Sequence, residues 1–202
     1  MNALALLKAD HQNVEALFQR FEGFSPRARN GRMKVVQQVI KELSIHAAIE
    51  EQVFYPAVRE ALGPKGSVVL ESLEEHHVVK WLLSELDGMS PEAERYCAKM
   101  KVLMETVRQH VKEEERGLFP KVRQAMDRAM LDDLGKSLTR ARKIAPTHPH
   151  PRASDTPPGN VVVGVGAAVV DRVRDAGRAV VEKAAAVRNK NNHAHRNGVA
   201  PH

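Results

Sequence analysis

Along the first 144 residues, apolar side chains recur at alternating spacings of three and four, as in helices that bury one face. Over residues 2–22 the stripe reads Leu4, Leu7, His11, Val14, Phe18 and Phe21. Gly23-Phe24-Ser25-Pro26 then stops one helix and starts another. Serine caps free N–H groups, and proline suits a first turn. Asn30-Gly31 is expected to delay the second helix until near Arg32, from where it runs to Leu62 and bends near its end at Pro56. Gly63-Pro64-Lys65-Gly66 reads as a turn, and a third helix follows over about residues 67–87. Gly88-Met89-Ser90-Pro91 repeats the stop-and-start signal, and a fourth helix extends from Ser90 to near Met126, crossed by Pro120. Residues 130–144 form a short amphipathic fifth helix.

The pattern repeats internally. Asp10-His11 with Val14, Leu17 and Phe18 matches Glu75-His76 with Val79, Leu82 and Leu83, 65 residues on. His46 and Glu50-Glu51 leading to Pro56 match His110 and Glu114-Glu115 leading to Pro120, 64 residues on. Two helical hairpins of one design therefore follow each other, and neither buries its apolar stripe alone. The expected fold is all-α, an antiparallel up-down four-helix bundle over residues 1–144 with the short fifth helix at its end. Residues 145–160, rich in proline and histidine, read as an extended or disordered linker. Residues 161–202 read as a mostly disordered basic tail, rich in Val and Ala, with one amphipathic helix weakened by Gly164, Gly166 and Gly177.

Composition sharpens this picture in two places. Residues 1–139 carry 20 Lys+Arg against 21 Asp+Glu, whereas residues 140–202 carry 11 against 4. Contact with nucleic acid or an anionic membrane surface is thus expected only through the tail. The single cysteine, Cys97, excludes a disulfide framework or a thiolate metal site and fits a reducing cytoplasm. Met1–Leu7 is too short an apolar run to read as a secretory signal, and no stretch is long enough to span a membrane.

The chemistry lies where polar residues interrupt the apolar seams. In the second helix the seam reads Val36, Val39, Leu43, His46, Glu50, Phe54; in the fourth it reads Met100, Leu103, Val107, His110, Glu114, Leu118. His11 stands between Leu7 and Val14 in the first helix, and His76 between Leu73 and Val79 in the third. Four imidazoles and two carboxylates in a small core cost several kcal/mol unless something compensates them. Metal ions do so, since such ligands then neutralise a large positive charge. A His and a Glu at i and i+4 share one helix face and converge on one centre. His77 sits about 100° around the helix from His76 and reads as outward. Glu51, Glu74, Glu113 and Glu115 read as a solvated face, and Glu15 as a surface residue.

These motifs resemble those of the hemerythrin-like, HHE cation-binding family, through Asp10-His11, HAAIEEQVFYP, EEHHVVKWLL and HVKEEERGLFP over about residues 1–140. The resemblance implies a non-haem centre of two iron ions, oxo- or hydroxo-bridged, held by His11, His46, Glu50, His76, His110 and Glu114, with Glu50 and Glu114 as bridges. Zinc or manganese also suits His and Glu ligands, and the sequence does not choose among the metals. Oxygen-carrying members place a second histidine four residues after the third-helix histidine, where this chain has Lys80. Their fourth-helix carboxylate is an Asp one residue beyond the position of Glu114. An oxygen-rich, open site points away from oxygen carriage, towards reacting with or sensing hydrogen peroxide, O₂ or NO, catalase-like turnover included. No separate catalytic acid or base is identifiable. Reversible O₂ or iron storage without turnover stays open as the alternative.

Overall fold

The computed structural model describes residues 1–25 and 27–152 together with Ala168 and Asp171. Pro26, residues 153–160 of the expected linker and, apart from those two positions, the tail with its expected amphipathic helix lie outside the described residues.

The described residues form helices joined by turns, with no strand among them. Helix α1 (Ala3–Glu22) starts at Asn2, whose Oδ1 accepts from the Ala5 N–H at 2.9 Å. It buries the expected stripe, His11 included. Helix α2 (Arg29–Ile49) begins before the expected point and runs through Asn30 and Gly31. The reason is contact: a Cβ at Gly31 would meet the Phe24 ring at 2.7 Å, so this glycine admits an aromatic ring rather than breaking the helix. After Ile49 the backbone widens into a π-helical turn (Glu50–Phe54) and resumes as α3 (Tyr55–Leu62). A 3₁₀ segment (Gly63–Val68) leads into α4 (Val69–Asp87).

Helix α5 spans Tyr96–Glu113, later than the Ser90 start that the stop-and-start signal suggests. Residues 90–95 form successive turns instead: Ser90 Oγ accepts from the Glu92 N–H, and the Tyr96 N–H donates to the Ala93 carbonyl. A second π-helical turn (Glu114–Leu118) follows α5 and passes into α6 (Phe119–Ala125). Helix α7 (Arg128–Arg142), the expected fifth helix, is capped by Asp127, which accepts from the Met130 N–H at 2.8 Å.

Each π turn begins at the glutamate of a His-x-x-x-Glu pair and ends just before an aromatic-Pro step. Proline donates no backbone hydrogen bond and its ring crowds the carbonyl four residues back. The wider turn absorbs this, with the Tyr55 N–H reaching Glu50 O and the Phe119 N–H reaching Glu114 O, five residues back. The bend expected at Pro56 is therefore a local change of helix type, as is common at functional sites.

Helices α1, α2, α4 and α5 form the bundle; α1 packs on α2, α2 on α4, α4 on α5 and α5 on α1. Two apolar cores fill it. Leu4, Leu7, Ile49, Phe54, Val58, Phe119 and Leu138 belong to one, and Phe18, Val39, Leu83, Met100 and Leu103 to the other. Each such side chain contributes about 1.5–3 kcal/mol when fully buried. Between the two cores, along every bundle helix, sits the layer of histidines and glutamates. Residues 145–148, expected as open linker, are buried instead. The Thr147 and His148 N–H groups donate to Asp171 at 3.0 and 3.1 Å, and His148 Nδ1 lies 3.1 Å from Asp87 at the end of α4. No helix among the described residues is long and apolar enough to cross a membrane.

Candidate metal centre

All six seam residues come together. His11, His46, His76, His110, Glu50 and Glu114 are each at most 5% exposed. Their inward atoms face one another: His46 Nε2 is 3.1 Å from Glu50 Oε2, His76 Nε2 is 3.3 Å from the same oxygen, and His11 Nε2 is 3.3 Å from Glu114 Oε2. His110 Nε2 lies 3.2 Å from His76 Nε2 and 3.7 Å from Glu114 Oε2. One donor atom each from His11, His46, Glu50 and Glu114 falls within 4.8 Å of the others, and the same holds for Glu50, His76 and His110. Glu50 belongs to both groups, so the layer divides into two adjoining nests, each built on one hairpin's histidine pair and sharing a carboxylate, with Glu114 of the second hairpin reaching into the first nest.

The electrostatics ask for a cation. Among the described residues, His11 Nε2, His46 Nε2, Glu50 Oε1 and Glu114 Oε2 are buried without a hydrogen-bond partner. Unsatisfied buried groups each cost about 1–3 kcal/mol, and more when charged. Burial alone would lower the His46 pKa, but the Glu50 charge and the Asp10 and Glu50 contacts raise it to about 10. His76 rises to about 9 in the same way, burial being overridden by Glu50 and Glu51. Burial would raise the Glu50 pKa, yet the facing imidazoles hold it well below the usual carboxylate range. Negative charge that draws protons onto buried imidazoles also draws metal ions, and all-nitrogen-and-oxygen donors suit first-row transition metals. The residues present could hold a metal ion in each of the two groups.

Four carboxylates and one phenol complete the layer. Each imidazole presents Nε2 inward and Nδ1 outward to an acid on a neighbouring element. Glu115 Oε1 lies 2.9 Å from His11 Nδ1, Asp10 Oδ2 3.5 Å from His46, Glu51 Oε1 3.1 Å from His76 and Glu75 Oε2 2.7 Å from His110. A carboxylate only accepts, so each outward acid holds a proton on Nδ1, which would leave the Nε2 lone pair to a metal ion bound in the layer. Glu51 and Glu115 are thus not the solvated face expected: Glu51 is buried and Glu115 half-buried. Glu74 and Glu113 are exposed, and His77 accepts from Trp81 Nε1 at 3.1 Å away from the layer. Lys80 is buried against Glu51 at 3.0 Å. Glu15 pairs with Arg108 at 2.9 Å.

Tyr55, unremarked in the sequence, donates from its hydroxyl to Glu114 Oε1 at 3.0 Å and lies 3.3 Å from His76 Nε2. Burial, reinforced by the Glu114 and Glu50 charges, pushes its pKa well above the usual range, so the phenol keeps its proton. The repeat offered one signal for the missed acids, since Asp10 and Glu75 each precede a seam histidine while Glu51 and Glu115 each follow a seam glutamate.

A groove of about 400 Å³ runs between α1 and α5, lined by residues that include Phe18, Gln19 and Arg108. A small pocket of about 20 Å³ lies beside the four imidazoles, walled by Leu43 and Val79 among others. His11, Val14, Val107 and Val111 line both, so one layer of side chains separates groove from pocket. About 20 Å³ is room for one water-sized molecule.

Comparison with known proteins places these features in a family. Residues 2–122 match the hemerythrin HHE cation binding domain. An uncharacterized hemerythrin-like protein of Schizosaccharomyces pombe is 29% identical over 167 residues, covering 82% of this chain and 81% of that one. A protein of Nostoc named DNA nickase is 31% identical over 126 residues, covering 61% of this chain but only 34% of its own length. The crystal structure of a hemerythrin HHE cation binding domain-containing protein from Mycobacterium kansasii superposes with a TM-score of 0.61, covering 71% of this chain and 86% of that one, at 24% identity. That last likeness speaks to the fold.

Proposed function

The chain belongs to the hemerythrin HHE cation-binding family, and from that premise we propose that His11, His46, Glu50, His76, His110 and Glu114 hold two iron ions that react with hydrogen peroxide, or sense O₂ or NO. The observation that carries this reading is the set of partnerless buried donors facing one another beside a pocket of molecular size. Iron bound there supplies redox chemistry towards such small molecules. The protein's own residues do the rest. Glu50 joins the two nests, the outward carboxylates hold each imidazole in its ligating tautomer, and Tyr55 orients Glu114. Val14, Val107 and Val111 screen the pocket from the groove, which suits small uncharged molecules better than organic substrates.

Peroxide disproportionation needs no further partner. One peroxide gives up two electrons and two protons to become O₂, and a second takes them up to become two waters. The purified full-length protein is expected to contain about two irons per chain, to show near-ultraviolet bands absent from a zinc-loaded form, and to release O₂ from peroxide. An iron-loaded protein inert to peroxide sinks the enzymatic version. Reversible storage is the second reading, supported by the shielding of the pocket, and a stable oxygenated spectrum that disappears under vacuum would establish it. A cytoplasmic setting is part of this reading, because the lone Cys97 is a free, exposed thiol. Contact with nucleic acid or an anionic membrane falls to the basic residues 140–202, and the relative named DNA nickase makes DNA the first to try. Duplex binding that weakens with salt and with Arg172→Gln, Arg174→Gln and Arg178→Gln combined would support it.

A further inference from the structure

The four outward carboxylates are not equivalent. Asp10 and Glu75 reach from the first helix of a hairpin to the histidine of its second helix, so both stay within one hairpin: Asp10 to His46, Glu75 to His110. Glu51 and Glu115 cross the seam between hairpins. Glu51, on the π turn that follows α2, grips His76 and Lys80, both on α4. Glu115, on the π turn that follows α5, grips His11 and Lys8, both on α1, at 2.9 and 3.2 Å. Each crossing acid therefore holds one imidazole and one ammonium of the opposite hairpin. Both stand on a π turn, directly after a seam glutamate.

We propose that Glu51 and Glu115 are positioning residues that each lock one metal-binding imidazole across the hairpin seam, and that Lys80 makes the Glu51 lock the stronger of the two. The proposal rests on the two-metal reading of the nest. The asymmetry is one of burial: the Glu51 and Lys80 side chains are 7% and 9% exposed, against 28% and 38% for Glu115 and Lys8. Exposed pairs contribute little, whereas a buried charge that loses its partner is costly and holds its geometry tightly. The lock works through the tautomer. A carboxylate compels Nδ1 to carry the proton, while an amide in its place donates as readily as it accepts and frees the ring to turn its lone pair outward. Lys80, where oxygen-carrying relatives have a histidine, thus acts on the centre at one remove, by anchoring the acid that orients His76.

Glu51→Gln and Glu115→Gln test this in the full-length protein. The first readout is ferrous-ion affinity, by chelator competition; the second is the histidine ¹⁵N spectrum of the diamagnetic zinc-loaded protein, which reports which nitrogen of each ring carries the proton. Mössbauer spectra of the ⁵⁷Fe-loaded forms resolve the two irons. Glu51→Gln is expected to weaken one of the two ions about 10- to 100-fold, as loss of such outer partners typically does, and to change the His76 tautomer and one iron signal. Glu115→Gln is expected to do the same to the other ion and His11, by a smaller factor. Glu115 is half-buried, so that variant folds even if Glu51→Gln does not. A parent protein that loads two ions alongside variants with parental affinities and tautomers overturns the lock and leaves the proposed function standing. Equal weakening of both ions with a lowered melting temperature marks a packing role and overturns it too. A parent that fails to load two ions removes both.

Discussion

His46 is buried, where an imidazole ordinarily sheds its proton, yet its pKa rises to about 10 because carboxylate charge outweighs burial. The sign of the resulting pH dependence is fixed. Groups with a raised folded-state pKa stabilise fully below their unfolded value near 6.5 and lose that contribution as pH climbs through the folded one. Chelator-treated protein should therefore lose stability as pH rises through about 9 for His76 and about 10 for His46, read as a falling urea midpoint. A midpoint that is flat or rises over that range contradicts the assignment. Tyr55→Phe removes one buried hydroxyl that donates to Glu114. It should cost about 1–3 kcal/mol of stability and leave the iron count unchanged, by thermal melt and metal analysis. At this scale the six seam residues were visible because a polar side chain breaks an apolar rhythm of three and four. Glu51 and Glu115 were not, since one residue off the seam reads as solvent-facing on a regular helix. Tyr55 was not either, since a buried phenol and an ordinary core aromatic look alike in sequence.

Element by element, the two long helices are not uniform. Pro56 and Pro120 announced an irregularity, but only the folded backbone shows it as a π turn beginning at each ligand-type glutamate. The added residue per turn brings Glu50 and Glu51, neighbours in the chain, both out of solvent. Helix α7 shows a second effect that periodicity misses. Its Gly135 lies under the chain start, where an added Cβ would meet Met1 O at 2.4 Å and Ala3 N at 2.9 Å. Gly135→Ala ordinarily favours a helix by propensity. Here overpacking against backbone should dominate and cost about 1–3 kcal/mol, seen as a lower melting temperature with unchanged metal content. A melting temperature equal to or above the parent's would mean that the N-terminus yields freely.

At the scale of the whole molecule, a polar layer divides two apolar cores that close over it from both ends. Those cores draw on all four bundle helices, so metal binding is expected to add to a bundle that already stands. Removing the metal with a chelator should lower the melting temperature, because a ligand of the folded state alone stabilises it by mass action. The far-ultraviolet helix signal before melting should stay as it was; a collapse of that signal would instead make the metal a condition of folding, as in zinc fingers. The four-helix bundle, the two-hairpin repeat and the six seam residues were all legible in the sequence alone. Periodicity and repetition are local properties, and a buried polar residue is conspicuous against them. The starts of α2 and α5, the π turns, the packing of residues 145–148 and the pairing of each imidazole with an acid from another element emerged only from the tertiary structure. Such pairings join residues up to 104 positions apart, and they depend on how each helix is rotated about its axis. That rotation is settled by the packing of neighbouring helices rather than by any pattern within one of them.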